Sequence, residues 1–408
     1  MYKRQIRPYG PPDSPVPVVE AYDVIEAEYA ALRKSAIMLD QPQRGTIEIR
    51  GGDRIAFLNR MLTQELKGLE AFQVRRSFWL NRKGRIDADM RLIELPDRML
   101  IDLDVFSILA GGERQSAIDT LSAFVFSEDV QITDQSEAWH RLALHGPGAI
   151  ALLARLSRPF AGPAILEIQP GQATIVSIEG HDVIVDRQDS LGEIGLELLM
   201  KTSEAAEIYE LLSAPPDTHA RDQGEGWKPD PRNLARRVGW HAFNIARIEA
   251  GTPLFFIDFG PTSLPHESGV LKDRVSFKKG CYLGQEVVAR MESLGHPKQR
   301  LVALKLENGV KDANREAPPQ PVTGCAVLFE TPGVAAIEGA PAAESKREVV
   351  GAVTSSVLAP MLSGTPICFA MVKYKHTTPG TKLHVEIEEG SPATLVGTVQ
   401  ESLVFWHR

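Results

Sequence analysis

Apolar positions along the chain change period several times, and each change marks an element. Over residues 18–40, VVEAYDVIEAEYAALRKSAIMLD, they recur at helical intervals, which predicts a helix ending near Asp40. RGTIEIRG then alternates as a half-buried strand does, and GDRIAFLNRMLTQEL goes back to helical spacing. FQVRRSFWLNRKGRIDADMRLIEL predicts two strands around an Asn-Arg-Lys-Gly turn, RMLIDLDV a further strand, and SILAGGERQSAIDTLSAFV a helix. From Trp139 the rhythm starts again: HRLALHG as strand, GAIALLARL as helix, ATIVSIEG and HDVIVDRQ as paired strands, GLELLM as strand and SEAAEIYELLS as helix. This succession is α+β with antiparallel hairpins, not a regular βαβ wind.

Beyond Arg300 the pattern becomes all-β. LVALKLEN, GCAVLFET, REVVGAVTSSVL, PICFAMVKY, KLHVEIEEG and ATLVGTVQESLVF are short strands separated by turn residues, as a barrel or sandwich requires. The organisation expected is an α+β module over 1–300, with the chain crossing between its two lobes, and a C-terminal β-domain over 301–408. Residues 217–233 read as a polar surface excursion, and 333–348 as a low-complexity loop of the second domain.

Charge narrows the classes of partner. Lys and Arg number 45 against 53 Asp and Glu, a formal net charge of -8, which argues against a chain-wide role in coating nucleic acid. No apolar run reaches the roughly 18 residues of a membrane span, and the first ten residues lack a signal-peptide core, so the expectation is a soluble, cytoplasmic protein without a membrane partner. Cys281, Cys325 and Cys368 form no CxxC pair, so neither a metal cage nor a disulfide framework is expected. Cys325 and Cys368 lie in apolar strand-like runs and read as buried small hydrophobes.

Four stretches carry candidate chemistry. HGPGAIA, from His145, fits a degenerate GxGxxA dinucleotide fingerprint with Glu167 about twenty residues on, but the surrounding hairpins lack the parallel frame it needs; the competing reading is a tight strand-to-helix turn. Arg75, Arg76, Arg82, Lys83 and Arg85 surround Phe78 and Trp79, which suits either a planar anionic ligand, with Trp79 stacking on it, or a solvated hairpin face. Asp87 and Asp89 fall on one face of a strand and suit a bound amine or a shared proton, though surface strands carry such pairs too. Cys281 follows Lys278 and Lys279 and precedes a helix-like stretch. Cations and a helix N-terminus favour thiolate, while burial would oppose it.

The stretch KGCYLGQEVVAR resembles the signature of the YgfZ family of folate-binding proteins, relatives of the glycine cleavage T-protein (aminomethyltransferase). ARIEAGTPLF, LPHESG and SFKKGC follow in that family's order. RGTIEIRGGDRIAFLNRMLTQEL, LALHGPGA, GEIGLEL and VVGAVTSSVLAP are similar to segments of the wider superfamily, so the resemblance extends over nearly the whole chain. It implies two α+β lobes around a central folate cleft, a C-terminal β-barrel lobe and tetrahydrofolate as the ligand. The T-protein branch moves a one-carbon unit from an aminomethyl carrier to tetrahydrofolate. The YgfZ branch is associated with assembly or repair of iron-sulfur enzymes and depends on the signature cysteine, here Cys281.

Carried over residue by residue, the resemblance aligns Asp89 of NRKGRIDAD with the aspartate that positions the folate amine, with Ala88 in place of its predecessor. Glu197 of GEIGLE aligns with the carboxylate that reads the pterin ring, and a carboxylate there can accept two hydrogen bonds from an aminopyrimidine edge. In AFNIARIEAG, Phe243 stands where T-proteins have a folate-contacting arginine, four residues before Arg247; Phe243 and Arg247 are expected around the ligand. T-proteins have KGDFIGRE-like residues where this chain has KKGCYLGQE, so Cys281 separates the two branches. Three readings follow. The first is a tetrahydrofolate-binding protein serving iron-sulfur client enzymes or assembly proteins, with Cys281 holding a cluster transiently or exchanging redox equivalents. The second is a folate-dependent aminomethyltransferase using Asp89 and Glu197. The third is a non-catalytic scaffold whose basic segment 75–85 docks a protein or a structured RNA such as tRNA.

Overall fold

The computed structural model describes residues 5–10, 14–109, 115–214, 234–307, 319–331 and 346–406. The stretch 217–233 and residues 333–345 of the loop expected over 333–348 lie outside them, while 346–348 of that loop open the strand Lys346–Ala359. The chain divides into two compact units: Met1–Ala246 with Lys272–Glu286 and Arg408, and Arg247–Leu271 with Val287–His407. Of the β-rich region expected over 301–408, residues 301–407 fall within the second unit, which also takes 247–271 and 287–300.

Two sheets build the first unit. One is antiparallel, in the order Val74–Leu80, Ile86–Glu94, Met99–Asp104, Arg44–Arg50, Gln131–Asp134. The other has eight strands, in the order Arg158–Ala161, Ala173–Ile178, His181–Arg187, Gly195–Lys201, Trp139–His145, Ile37–Asp40, Ala235–Arg237, Ser213–Ala214, with only the last two pairings parallel. Each sheet buries one face under helices. Phe57 and Leu58 of Arg54–Met61 and Leu121 of Ala117–Ser122 pack with Ala88, Met90 and Leu92. Leu152 and Leu153 of Ala149–Leu156 and Ile208 of Thr202–Leu212 pack with Leu196, Leu198 and Met200. The opposite faces meet through Val74, Ile93, Leu100, Ala173, Ile184 and Leu199. Since side chains alternate along a strand, Asp89, Arg91, Asp102, Arg141, Asp186 and Glu197 share the faces between the sheets with these residues.

The predicted hairpins and helices are present, but 18–40 is not one helix. It forms the strand Pro17–Ala21, the helix Ile25–Lys34 and the strand Ile37–Asp40. The buried Glu28 carboxylate accepts hydrogen bonds from the backbone N–H groups of Tyr22 (2.6 Å), Asp23 (2.7 Å) and Gly239 (2.8 Å), which fixes the turn into the helix. Ile37–Asp40 is recruited as a strand by pairing with Trp139–His145 and Ala235–Arg237. The helix expected from residue 107 is likewise shorter, a 3-10 turn at Val105–Ser107 and a helix at Ala117–Ser122.

The second unit is a closed six-stranded barrel in the order Gln299–Leu306, Thr365–Lys373, Lys346–Ala359, Ala326–Thr331, Lys382–Glu386, Thr394–Val399. Val302, Leu304, Val353, Ala370, Leu383 and Val385 fill it, together with Cys325 and Cys368. Closure removes the sheet edges that an open six-stranded sheet would expose. Among the described residues no helix is long and apolar enough to cross a membrane.

Candidate functional site

Between the two sheets of the first unit lies a ring of buried charge. Arg91 Nη2 is 3.1 Å from Asp102 Oδ2 and its Nη1 3.2 Å from Asp186 Oδ2. Arg141 Nε is 3.0 Å from Asp102 Oδ1 and its Nη1 3.5 Å from Asp186 Oδ1. The two arginines and two aspartates thus alternate around a closed circuit that joins one sheet to the other. Arg44 adds a bidentate contact to Asp102, at 3.0 and 2.6 Å. Burial pushes the Asp186 carboxyl up to about 6 against the pull of Arg91 and Arg141. Burial also acts on Asp102, but Arg141, Arg44 and Arg91 outweigh it and hold that carboxyl well below the usual range. Such groups are tolerable in a low-dielectric interior only while each is opposed by a charge of opposite sign.

Glu197 borders this ring and is 5% exposed. Its Oε1 lies 3.3 Å from His145 Nε2, while Oε2 is buried without a hydrogen-bond partner. Burial would raise its pKa, yet His145, Arg91 and Arg141 together lower it, so the carboxylate stays ionised at neutral pH. A buried anion with a free oxygen is a ready acceptor for an N–H donor of a ligand.

Asp89 has a different environment. Arg274 grips its carboxylate as a fork, Nε to Oδ1 at 3.0 Å and Nη2 to Oδ2 at 3.4 Å, and Arg76 Nη2 stands 3.8 Å from Oδ2. The Arg274 side chain is 3% exposed and also pairs with Asp273. Burial, reinforced by Arg274, pushes the Arg76 guanidinium down to about 10. Asp87, the other carboxylate of the predicted pair, accepts from Asn81 Nδ2 at 3.0 Å. Asn81 shapes the hairpin turn as well, its Oδ1 accepting from the N–H groups of Lys83 and Arg85 at 3.0 and 3.2 Å. Arg82, Lys83 and Arg85 are exposed around that turn, and Arg75 is exposed at the far end of the hairpin, opposite Leu92.

The segment carrying Cys281 is fastened to the same sheet. Thr63 Oγ1 donates to the Arg274 carbonyl at 2.7 Å, and Ser276 N–H donates to the Thr63 carbonyl at 3.0 Å. Lys279 is buried, and its Nζ donates to the carbonyls of Asn59 (2.6 Å), Leu62 (2.5 Å) and Gln64 (3.0 Å). Burial draws its pKa down to about 8. Gly284 has a φ of +78°, and a Cβ there would lie 2.8 Å from the Asn81 carbonyl oxygen, so only glycine lets the chain pass this close to the hairpin turn. Between these anchors Cys281 is exposed, whereas Cys325 and Cys368 are buried and burial raises both thiols. Lys279→Met should therefore strand three carbonyls and cost about 1–3 kcal/mol locally. Amide hydrogen exchange across 276–284 should speed up relative to the Ile86–Glu94 strand, and equal protection in variant and parent would contradict this role.

The expected ligand residues are not all at this face. Trp79 is 1% exposed on the helix-covered side of its strand, donates from Nε1 to Thr120 Oγ1 at 3.0 Å and packs edge-on against Phe124. Strand alternation puts it opposite to Asp89, so the expectation of a stacking role is corrected to a core role. Phe243 is 7% exposed, with its ring 4.9 Å from that of Trp240. Arg247, 1% exposed, is held within the second unit by Asp258 Oδ2 and Ser355 Oγ, both at 2.7 Å. A guanidinium so engaged braces the barrel unit. HGPGAIA is the strand-to-helix turn: Gly146 has a φ of +118°, a Cβ there would lie 2.5 Å from the Ser35 carbonyl oxygen, and both neighbours of its strand are antiparallel. Arg91, Arg141, Arg274 and the His145 contact escaped sequence reading. For Arg91, Arg141 and His145 the one sequence signal is a charged or polar residue set inside an apolar strand, as in HRLALHG and DMRLIEL; Arg274, in the short helix Leu271–Arg274, has none.

Two helix-covered sheets followed by a closed barrel define an α+β protein of T-protein architecture. The crystal structure of glycine cleavage system aminomethyltransferase T from Bartonella henselae shares it, with a TM-score of 0.75 at 22% identity over 99% of this chain and 95% of that one. Residues 8–279 match the GCVT N-terminal domain and residues 325–400 the glycine cleavage T-protein C-terminal barrel domain, and the chain belongs to this family. Among similar proteins are the aminomethyltransferase of Cutibacterium acnes, 28% identical over 88% of this chain and 85% of that protein, and the aminomethyltransferase of Chlorobium chlorochromatii, 25% identical over 92% and 89%.

Proposed function

We propose that this protein binds tetrahydrofolate through Glu197 and uses Cys281 as a working thiol in support of iron-sulfur enzymes. The observation that carries the folate half is the buried, ionised Glu197 carboxylate with Oε2 free of any hydrogen bond. An aminopyrimidine edge presents adjacent N–H donors, the complement of such an acceptor. The thiol half is supported by the contrast between exposed Cys281 and the two buried cysteines, and by the KKGCYLGQE stretch that holds it on a fixed platform. When bound, the folate would supply a one-carbon acceptor, while the chain itself binds and orients its ring.

Aminomethyl transfer is the second reading, favoured by the names of the similar proteins. In that reaction Asp89 would have to serve the folate amine with lone pairs not already taken by Arg274. Calorimetric titration of the reduced protein with tetrahydrofolate tests both. Saturable binding is expected, and Glu197→Ala should weaken it at least about tenfold, the loss of one hydrogen-bonded charge. No heat of binding with the parent protein would sink both folate readings. Transfer from an aminomethyl-loaded lipoyl carrier protein would select the second. Loss of iron-sulfur enzyme activity in cells carrying Cys281→Ala, with no transfer in vitro, would select the first.

A further inference from the structure

The opposing strands Trp139–His145 and Gly195–Lys201 place His145 directly across from Gly195, with Glu197 two residues further along on the same face. A side chain at 195 would block the diagonal between them: a Cβ there would lie 2.3 Å from His145 Cε1 and 2.5 Å from Nδ1. The imidazole therefore lies over the bare Gly195 backbone and brings Nε2 to 3.3 Å from Glu197 Oε1. A carboxylate only accepts, so Nε2 carries the hydrogen. His145 Nδ1 is buried with no hydrogen-bond partner, as is Glu197 Oε2. A hydrogen on Nδ1 would be a buried donor with nothing to receive it, which favours the tautomer with the hydrogen on Nε2.

We propose that His145 is a positioning residue for Glu197: by donating from Nε2 it occupies one lone pair of Oε1, fixes the carboxylate plane, and leaves Oε2 as the acceptor for a ligand N–H. The ligand class is a neutral heterocycle with an amidine-like donor edge, and this part rests on the reading of Glu197 as the carboxylate that receives the pterin ring. Gly195 in GEIGLE is required twice over, since a Cβ there would lie 2.0 Å from the Gln188 carbonyl oxygen as well as inside the His145 ring's space.

Two measurements decide it. Tetrahydrofolate affinity is measured by calorimetry in the parent protein and in His145→Phe, His145→Asn and His145→Gln. Glutamine can set an amide N–H where Nε2 stands, and asparagine is too short to do so. His145→Phe and His145→Asn should each weaken binding about tenfold or more, the value of a hydrogen bond to a charged group, while His145→Gln recovers most of the loss. Full affinity in a folded His145→Phe or His145→Asn, or no recovery in a folded His145→Gln, overturns the role. Nitrogen-15 NMR of the ligand-free protein reads the His145 tautomer without any folate. A single Nε2–H form is expected, giving way to a mixture in Glu197→Ala, and a parent ring protonated on Nδ1 alone overturns the proposal. If the parent protein fails to bind tetrahydrofolate, the folate reading falls, and the tautomer still decides whether His145 orients Glu197.

Discussion

Asp102→Asn is expected to lower the stability of the folded protein by about 3–5 kcal/mol, the cost of removing one partner from a buried ion network. Asp102 faces Arg44, Arg91 and Arg141 together, so a neutral amide leaves three guanidinium groups with the Asp104, Asp186 and Glu197 carboxylates, and burial has already pushed Asp186 up to about 6. Urea unfolding followed by tryptophan fluorescence reads the loss as a lower midpoint. The exposed pair Lys373–Glu348 is the control, and Glu348→Gln should leave the midpoint where it was. The pH dependence carries the same signature. Asp102 has a folded pKa below its unfolded value near 3.9, so its contribution is complete above that pH and is lost as the pH falls through it toward the depressed folded value. Asp186, raised to about 6, acts in the opposite sense: the fold favours its protonated form, and stability declines as pH rises from about 4 to 6. The parent protein should therefore lose stability steeply below pH 4, and Asp102→Asn should flatten that limb. A midpoint unchanged by the substitution would mean that water, not the ring, compensates these charges.

Periodicity made the hairpins, the barrel and the α+β class legible because those features are local: alternation along Ile86–Glu94 or Thr365–Lys373 reports directly on a pleated, half-buried surface. It failed at 18–40, where Ile37–Asp40 is a strand only through partners a hundred and two hundred residues away, and where the Glu28 carboxylate reaches Gly239. Trp79 was misplaced for a related reason. Its strand is buried on both faces, so its sequence cannot say which face meets the helices and which meets the second sheet. Arg247 shows the limit for charged residues, since nothing nearby announces that Asp258 and Ser355 enclose it. Asp89 and Cys281 are legible from spacing and neighbouring charge and Glu197 from motif resemblance, and the contacts that give them character come from residues far along the chain: Arg274, His145 and the Asn59–Gln64 carbonyls.

Arg274→Met should cost about 3 kcal/mol and at the same time quicken alkylation of Cys281, because one side chain serves both the Asp89 carboxylate and the anchoring of the thiol segment. Methionine keeps much of the volume but leaves Asp89, 9% exposed at its side chain, with only Arg76 at 3.8 Å. A buried carboxylate that has lost its fork partner is destabilising beyond the value of the lost bonds, since its desolvation is no longer offset. The double variant Asp89→Asn/Arg274→Met should recover part of the loss, the mark of a coupled pair. Iodoacetamide labelling resolved by peptide mass reads the second effect, with the buried Cys325 and Cys368 reporting any global unfolding. Faster labelling confined to Cys281 is the expected result, with Thr63, Lys279 and Gly284 still holding the rest of the segment. If Cys281 labels at the parent rate while stability falls, the Arg274–Asp89 pair braces the sheet alone, and the thiol's presentation depends on Lys279 and the Gly284 turn.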